Sequence, residues 1–352
     1  MKPKLLIINK CQFGYLTDSY KWCEYLREEY DIKVLCINSN LPKISIPGVN
    51  VKYVNFNYPF LIRSFLFTII SLITVLTFKG KIFVVYYPTC SILKRILPWK
   101  KIHVDVRTLS VKKDSKIRKS NDKLLIKDCS YFDSISAISK GVADKMELPN
   151  IKILPLGSDI ISTKSKNYTD RINLLYVGTL SNRNIEQTIS GLKLFIDKFP
   201  NQSIQYDIIG DGFYDELQII KNTTEKLHLA NIVKIHGRVP YNKLKKYFDN
   251  SNIGISYIPI TEYYQNQPPT KTYEYILSGL FCLATATNSN KELITTDNGI
   301  LIQDDPESFC KGLEIFINNR AVISEKKIKE SLSQYTWGNI VKNKLKPIIE
   351  SI

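Results

Sequence analysis

Apolar runs of strand length alternate with helical patterns along almost the whole chain. In the first half they fall at residues 5–8, 34–37, 51–54, 82–86, 102–106, 134–138 and 151–154. In the second half they fall at 174–177, 206–209, 233–236, 253–257, 282–285 and 300–302. These runs lack the in–out alternation of a half-wet sheet, so they predict strands covered on both faces, as in parallel sheets. Helical spacing separates most of them, notably over 18–29, 184–199, 215–227 and 306–317. Repeated strand–helix–strand units predict an α/β chain built twice over. The polar, aperiodic stretch 162–169 is the expected boundary. The expected domains are therefore 1–165 and 166–335, and helix is expected from residue 303 to the end, with 336–352 as its last part.

The length of 352 residues admits two domains of ordinary size. With 44% hydrophobic and 23% charged residues, the chain can bury a full core, which excludes a disordered class. The net charge of +16 changes the picture more. It points to an acidic partner: a phosphorylated ligand, anionic lipid or nucleic acid. Residues 94–127 hold twelve Lys/Arg and three Asp, more than half of the excess charge. Leu97-Pro98-Trp99-Lys100-Lys101 mixes an aromatic with bases, as interfacial segments do. The stretch 60–78 is apolar except for Arg63 and a few hydroxyls. From Ser64 to Phe78 it covers only about 22 Å as a helix, short of the roughly 30 Å of a bilayer core. A buried crossover helix is the favoured reading, and a helix resting on a membrane surface is the alternative. The seven cysteines are odd in number and form no C-x-x-C, which fits a reducing cytoplasm. The first apolar run is too short for a signal peptide.

H-E-x-x-H, paired C-x-x-C, G-x-S-x-G, the Walker A loop and D-x-D are all absent, and only three histidines occur. No metal and no cofactor are expected. The strongest chemical signal is Pro268-Pro269-Thr270-Lys271-Thr272-Tyr273-Glu274-Tyr275-Ile276-Leu277-Ser278-Gly279. The prolines stop what precedes, Thr270 is the expected N-cap, the apolar positions recur at helical spacing, and Gly279 ends the helix. Free amides at the helix start with Lys271 make a site for an anion such as a diphosphate. Glu274, one turn on, can accept two ribose hydroxyls. Without such a ligand, the same stretch reads as a capped surface helix with one weak ion pair. Three strands end in glycine: Tyr176-Val177-Gly178-Thr179-Leu180, followed by Arg183; Ile208-Ile209-Gly210-Asp211-Gly212; and His236-Gly237-Arg238-Val239-Pro240. Each alone reads as an ordinary turn. Together with Lys271 and Glu274 they put phosphate and ribose binders at successive carboxyl ends of parallel strands, where open sheets bind ligands.

These motifs, with Asn298-Gly299-Ile300-Leu301, resemble in order the donor domain of retaining glycosyltransferases of family four, over roughly residues 170–340. The first half resembles that family more loosely at Gln12-Phe13-Gly14-Tyr15-Leu16-Thr17-Asp18, Asp105-Val106-Arg107-Thr108, Ser136-Ala137-Ile138-Ser139 and Leu154-Pro155-Leu156-Gly157-Ser158-Asp159. The resemblance implies an α/β chain of GT-B fold, two Rossmann-like parallel-sheet domains facing across a cleft. The first would bind the acceptor and the second the nucleotide sugar, and the last helix would cross back to the first. It implies a hexosyl transfer from a nucleotide-diphosphate donor, UDP-sugar favoured and GDP-sugar next, to a glycan or lipid-linked precursor in cell-surface polysaccharide synthesis. Arg183, Lys271 and Asp105 would be catalytic. Gly14, Gly178, Thr179, Arg183, Gly210, Arg238, Val239, Thr270, Lys271 and Glu274 would hold the donor. An anionic membrane surface is a further candidate partner, the expected location being cytoplasmic or peripheral on the inner face. Nothing resembles a nucleic-acid motif, so nucleic acid is not an expected partner. Two departures stand out: Asn266 where many members carry a glutamate, and Thr179 where an arginine is common. The alternatives are a nucleotide-sugar epimerase on the same fold and a non-catalytic basic binding module.

Overall fold

A computed structural model describes residues 2–55, 60–212 and 214–352. The chain divides into two compact units, Met1–Gly157 with Trp337–Ile352, and Ser158–Thr336.

In the first unit the order is β1 (Lys4–Asn9), α1 (Thr17–Leu26), β2 (Asp31–Ile37), β3 (Val49–Val54), α2 (Phe60–Thr77), β4 (Lys81–Val85), α3 (Ser91–Ile96), β5 (Ile102–Val106), α4 (Ser115–Cys129), β6 (Ser134–Ala137), α5 (Lys140–Met146) and β7 (Lys152–Ile153). The strands form one parallel sheet in the order β3-β2-β1-β4-β5-β6-β7. Leu5, Leu6, Ile7 and Ile8 are all buried, which is why β1 carries no polar alternation. Trp22 of α1 packs edge-on against Phe83 of β4, with ring centroids 5.2 Å apart. Helix α2 is a crossover between β3 and β4. Phe67, Ser71 and Val75 are buried on its inner side, while Ile62, Phe65, Ile73 and Leu76 are exposed on the other. The basic run yields a helix that its sequence hid. In α4, Asp114 caps by accepting from the Lys116 and Ile117 amides at 2.8 and 3.0 Å.

The second unit contains β8 (Ile172–Val177), α6 (Glu186–Lys198), β9 (Ile204–Ile209), α7 (Tyr214–Lys226), β10 (Val233–Ile235), α8 (Lys245–Asn250), β11 (Ile253–Ser256), α9 (Thr270–Leu277), β12 (Phe281–Thr285), α10 (Asn288–Lys291), β13 (Gly299–Ile302), α11 (Pro306–Asn319) and α12 (Glu325–Ser331). Its sheet is parallel, in the order β10-β9-β8-β11-β12-β13. The stretch 162–169 does not hang between the units. The Ile161 and Ser162 amides donate to Ser278 Oγ at 3.0 and 3.3 Å, and the Tyr168 hydroxyl donates to the Gly279 carbonyl at 2.6 Å. These bonds fasten it to the second unit, whose first residue is Ser158.

Helix does not run unbroken from residue 303. Residues 303–305 precede α11, and single 3-10 turns intervene at Arg320–Val322 and Ser333–Tyr335. Thr336 is extended (φ −62°, ψ 146°). Helix resumes in α13 (Trp337–Ile340), passes through a π turn at Val341–Leu345 and ends in α14 (Lys346–Glu350). This last segment belongs to the first unit, where buried Trp337 lies over Gly157.

Candidate functional site

In the second unit, a cavity of about 340 Å³ opens at the carboxyl ends of the strands. Val177, Gly178 and Thr179 line it from the end of β8, with Arg183 just beyond. Tyr241 and Leu244 come from the segment after β10, and Ile258 and Tyr264 from the segment after β11. Gln267, Pro268, Pro269, Thr270, Lys271 and Glu274 complete it at the start of α9.

Helix α9 begins one residue earlier than its sequence implies. Pro269 holds an extended backbone (φ −84°, ψ 120°) and occupies the cap position, so Thr270 is the first helical residue and makes no side-chain cap bond. A proline fits there because its fixed φ suits an extended cap. The consequence is that the amides of Thr270 and Lys271 have no acceptor inside the helix. The buried side of α9 is locked in place: Thr272 Oγ1 lies 2.7 Å from Ser256 Oγ and donates to Asn290 Oδ1 at 3.0 Å. The Val177 amide donates to the Tyr275 hydroxyl at 2.7 Å, tying the helix to the end of β8. Gly279, at φ +79°, ends the helix in a left-handed turn, and the Leu280 amide bonds back to the Tyr275 carbonyl at 2.9 Å.

Lys271 reaches the cavity wall without an ion-pair contact among the described residues. Its Nζ is buried, has no hydrogen-bond partner among the described residues, and sits 3.7 Å from the centroid of the Tyr176 ring. Burial, and next the Arg183 charge, hold its pKa well below the ordinary lysine value, with Glu274 pulling the other way. Glu274 shifts in the opposite sense. Burial, and next Asp159, raise its pKa to about 7, against the pull of Lys271. Arg183 is held with its guanidinium carbon 4.4 Å from the Tyr264 ring centroid, between Asn182 and Asn184, both left-handed (φ 56° and 52°). The Tyr241 hydroxyl donates to Asp159 Oδ2 at 3.3 Å. The cavity thus combines two basic side chains, two helix-start amides and a carboxyl group held partly neutral.

Of the residues singled out in the sequence, Gly178, Thr179, Arg183, Thr270, Lys271 and Glu274 line this cavity together. Gly210, Arg238 and Val239 are not among its described lining residues. Gly210 serves packing: a Cβ there would lie 1.8 Å from the Gly178 carbonyl oxygen. Arg238 is exposed, 3.6 Å from the Asp211 carboxylate. Gly14 and Asp105 belong to the first unit. Gly14 (φ 90°) turns against the Ile44 side chain. Asp105 is fully buried, accepts from Ser136 Oγ at 2.5 Å and lies 3.5 Å from Arg107 Nη1. Burial raises its pKa to about 6 against the opposing charge of Arg107. The aromatic walls, Tyr241 and Tyr264, were missed, as was the buried Tyr176 beneath Lys271. The pair Tyr263-Tyr264 just before the two prolines was the one signal for them.

Residues 171–319 match a family model described as Glycosyl transferases group 1. No curated protein matches the sequence. Among solved structures, the chain is similar to sucrose-phosphate synthase from Thermosynechococcus elongatus, at 13% identity and TM-score 0.77, over 99% of each chain. It is similar to HepE of Anabaena in complex with UDP, at 14% identity and TM-score 0.75, over 100% of each chain. It is also similar to the lipopolysaccharide outer core galactosyltransferase WaaB, at 16% identity and TM-score 0.71, over 99% of this chain and 100% of that one. The two Rossmann-like parallel-sheet units thus have the GT-B fold, and with the family match the chain is a glycosyltransferase.

Proposed function

We propose that the chain is a retaining glycosyltransferase of family four that takes its sugar from a UDP-sugar and passes it to a glycan or lipid-linked glycan precursor. One observation carries this reading: the buried Lys271 amine, with no hydrogen-bond partner among the described residues, shares a cavity with Arg183, the α9 amides and Glu274. In it, Lys271, Arg183 and the amides of Thr270 and Lys271 hold the diphosphate, and Glu274 accepts the ribose hydroxyls. As the bond from the anomeric carbon to the diphosphate oxygen breaks, positive charge spreads over the sugar ring and negative charge grows on the departing diphosphate. Groups fixed beside that charge stabilise it more as it grows, which is what lowers a barrier. The binding of UDP by HepE supports a uridine donor over a guanosine one.

The test is a thermal-shift screen of nucleoside diphosphates and their sugars. UDP at about 100 times its dissociation constant is expected to stabilise by about 2.7 kcal/mol, and GDP by less. Indifference to every nucleoside diphosphate would remove the reading. Nucleotide release that depends on a glycan acceptor separates transfer from epimerisation.

The first unit is proposed to rest on an anionic membrane. Among the described residues no helix is long and apolar enough to cross one. The outer side of α2 nevertheless exposes Ile62, Phe65, Ile73 and Leu76, and Trp99 is 68% exposed within the basic segment. Apolar burial and attraction to anionic lipid are the two terms of interfacial binding, each nearby Lys or Arg adding roughly 1 kcal/mol. Sedimentation with anionic vesicles is expected to carry the protein down. Salt, Lys112→Glu with Lys113→Glu, and Phe65→Asp should each weaken that binding. Equal indifference to neutral and anionic vesicles would leave α2 an ordinary crossover helix.

A further inference from the structure

The first unit has a cavity of its own, of about 450 Å³, that the donor reading does not use. It lies over the carboxyl ends of β1, β2, β4 and β5. It therefore straddles β1 and β4, where the strand order reverses, and open parallel sheets bind ligands at that point. Three cations line it: Lys10 directly after β1, Arg63 in the first turn of α2, and Arg107 after β5. No Asp or Glu is among the described residues of its wall. The charge of Arg107 is met by Asp18 and Asp105 behind it. Lys10 donates to Ser64 Oγ at 2.7 Å. Burial, and next the charge of Arg63, lower the pKa of Lys10. Like charges gathered at a partly desolvated wall repel, and an anion entering between them relieves that repulsion.

The β4 side of the cavity is built under strain. Thr89, directly after the lining residue Pro88, has φ +78°, an outlier for a β-branched side chain. Buried Asp128 of α4 holds this turn. It accepts from the Thr89 amide at 2.9 Å, from Ser91 Oγ at 2.5 Å and from the Tyr86 hydroxyl at 3.4 Å. Thr68 Oγ1 of α2 lies 3.0 Å from Thr89 Oγ1. Backbone strain of this kind persists only where the surroundings over-determine it, and it clusters at ligand sites.

We propose that this cavity binds a phosphate or diphosphate group of the acceptor, with Lys10 and Arg63 on its oxygens. Tyr86, Tyr87 and Leu16 cover the adjoining part of that molecule. The proposal rests on the reading that the first unit takes the acceptor. A guanidinium suits the task because it can grip two phosphate oxygens at once.

Cys11 also lines the cavity and is partly exposed, whereas the other six cysteines are buried. Its alkylation by iodoacetamide, followed on its own peptide by mass spectrometry, therefore reports occupancy. The probes are inorganic phosphate, pyrophosphate and dioctanoyl phosphatidic acid, each at an ionic strength held constant with chloride and at one pH. A probe at ten times its dissociation constant leaves about one site in eleven free, so alkylation should slow about tenfold. Protection by phosphate or pyrophosphate assigns the anion alone. Protection by phosphatidic acid only assigns a phosphate attached to a lipid. Lys10→Ala and Arg63→Ala should each abolish the slowing, Arg63→Lys should keep part of it, and Lys271→Ala should keep all of it. If one cation variant fails to fold, the other decides. Indifference of Cys11 to all three probes, full protection in the cation variants, or loss of protection in Lys271→Ala would each overturn the proposal. Failure of the donor reading would appear separately, as absent nucleotide shifts with Cys11 protection intact.

Discussion

Lys271→Ala is expected to lower kcat by roughly 10²–10³-fold, the effect of removing one fixed stabiliser of transition-state charge. The size follows from where the amine sits. Its Nζ is shielded from water and faces Tyr176 rather than a carboxylate, so nothing has to be released before it meets an anion. Arg183 stands close enough to lower its pKa, and burial lowers it further. A diphosphate entering the cavity reverses both effects by supplying the missing counter-charge. Nucleotide binding should therefore add a proton to Lys271, and this contribution to affinity should grow as the pH falls. Titration calorimetry in two buffers of different ionisation enthalpy measures the net proton exchange, and the difference between wild type and Lys271→Ala isolates the Lys271 part. In Lys271→Ala this uptake should be lost, leaving the proton that Glu274 releases as it ionises, while the melting temperature of the free protein holds or rises, because a buried amine with no partner among the described residues has been removed. Because the leaving diphosphate carries more charge in the transition state than in the bound donor, kcat should fall more than affinity does. A variant with wild-type kcat and wild-type proton uptake would place the diphosphate elsewhere.

Much of this was legible because buried parallel strands leave a simple trace. Leu5 to Ile8 and Phe281 to Thr285 are covered on both faces, so they read as plain apolar runs. Helix α9 was legible from its prolines, its period and Gly279. Its cap was not, because Pro269 meets the backbone requirement that a threonine side chain would otherwise serve. Helix α4 was hidden because its buried positions include Arg118 and Asp128, which blur an apolar stripe. That the division falls at Ser158, ahead of the polar stretch, has a related reason. Residues 162–169 are polar, yet their amides and hydroxyls are spent on Ser278 and Gly279, and a sequence does not show where a polar group finds its partner. The tyrosine walls were illegible because the chain has 21 tyrosines, and Tyr176, Tyr206, Tyr257 and Tyr275 are all core residues by burial. Only geometry separates the one beneath Lys271 from the rest.

Glu274→Gln is expected to change how nucleotide affinity varies with pH as well as its size. The carboxyl group of Glu274 is raised from 4.5 to about 7 in the ligand-free protein, first by burial and next by Asp159. A raised carboxylate pKa means that the folded state holds its proton more tightly than the unfolded chain does. Its contribution to stability is therefore full below pH 4.5 and is lost as the pH rises through about 7. Binding works the other way, since two ribose hydroxyls need the ionised form to accept them. Affinity should rise with pH through about 7 from this group, while Lys271 makes it fall. The wild-type protein should then bind nucleotide best over an intermediate range. Glu274→Gln should keep only the limb on which affinity falls with rising pH, and Lys271→Ala only the limb on which it rises. At the optimum, losing a hydrogen bond to a charged group costs about 1.5–3 kcal/mol, which is roughly a tenfold to hundredfold weaker dissociation constant. With kcat little changed, that loss should appear in KM, because ribose contacts are the same before and during bond cleavage. Calorimetry of the nucleoside diphosphate between pH 5.5 and 9 would check this, a range of roughly two units about the raised carboxyl value. Parallel curves for wild type and Glu274→Gln would mean that the ribose is held by some other group.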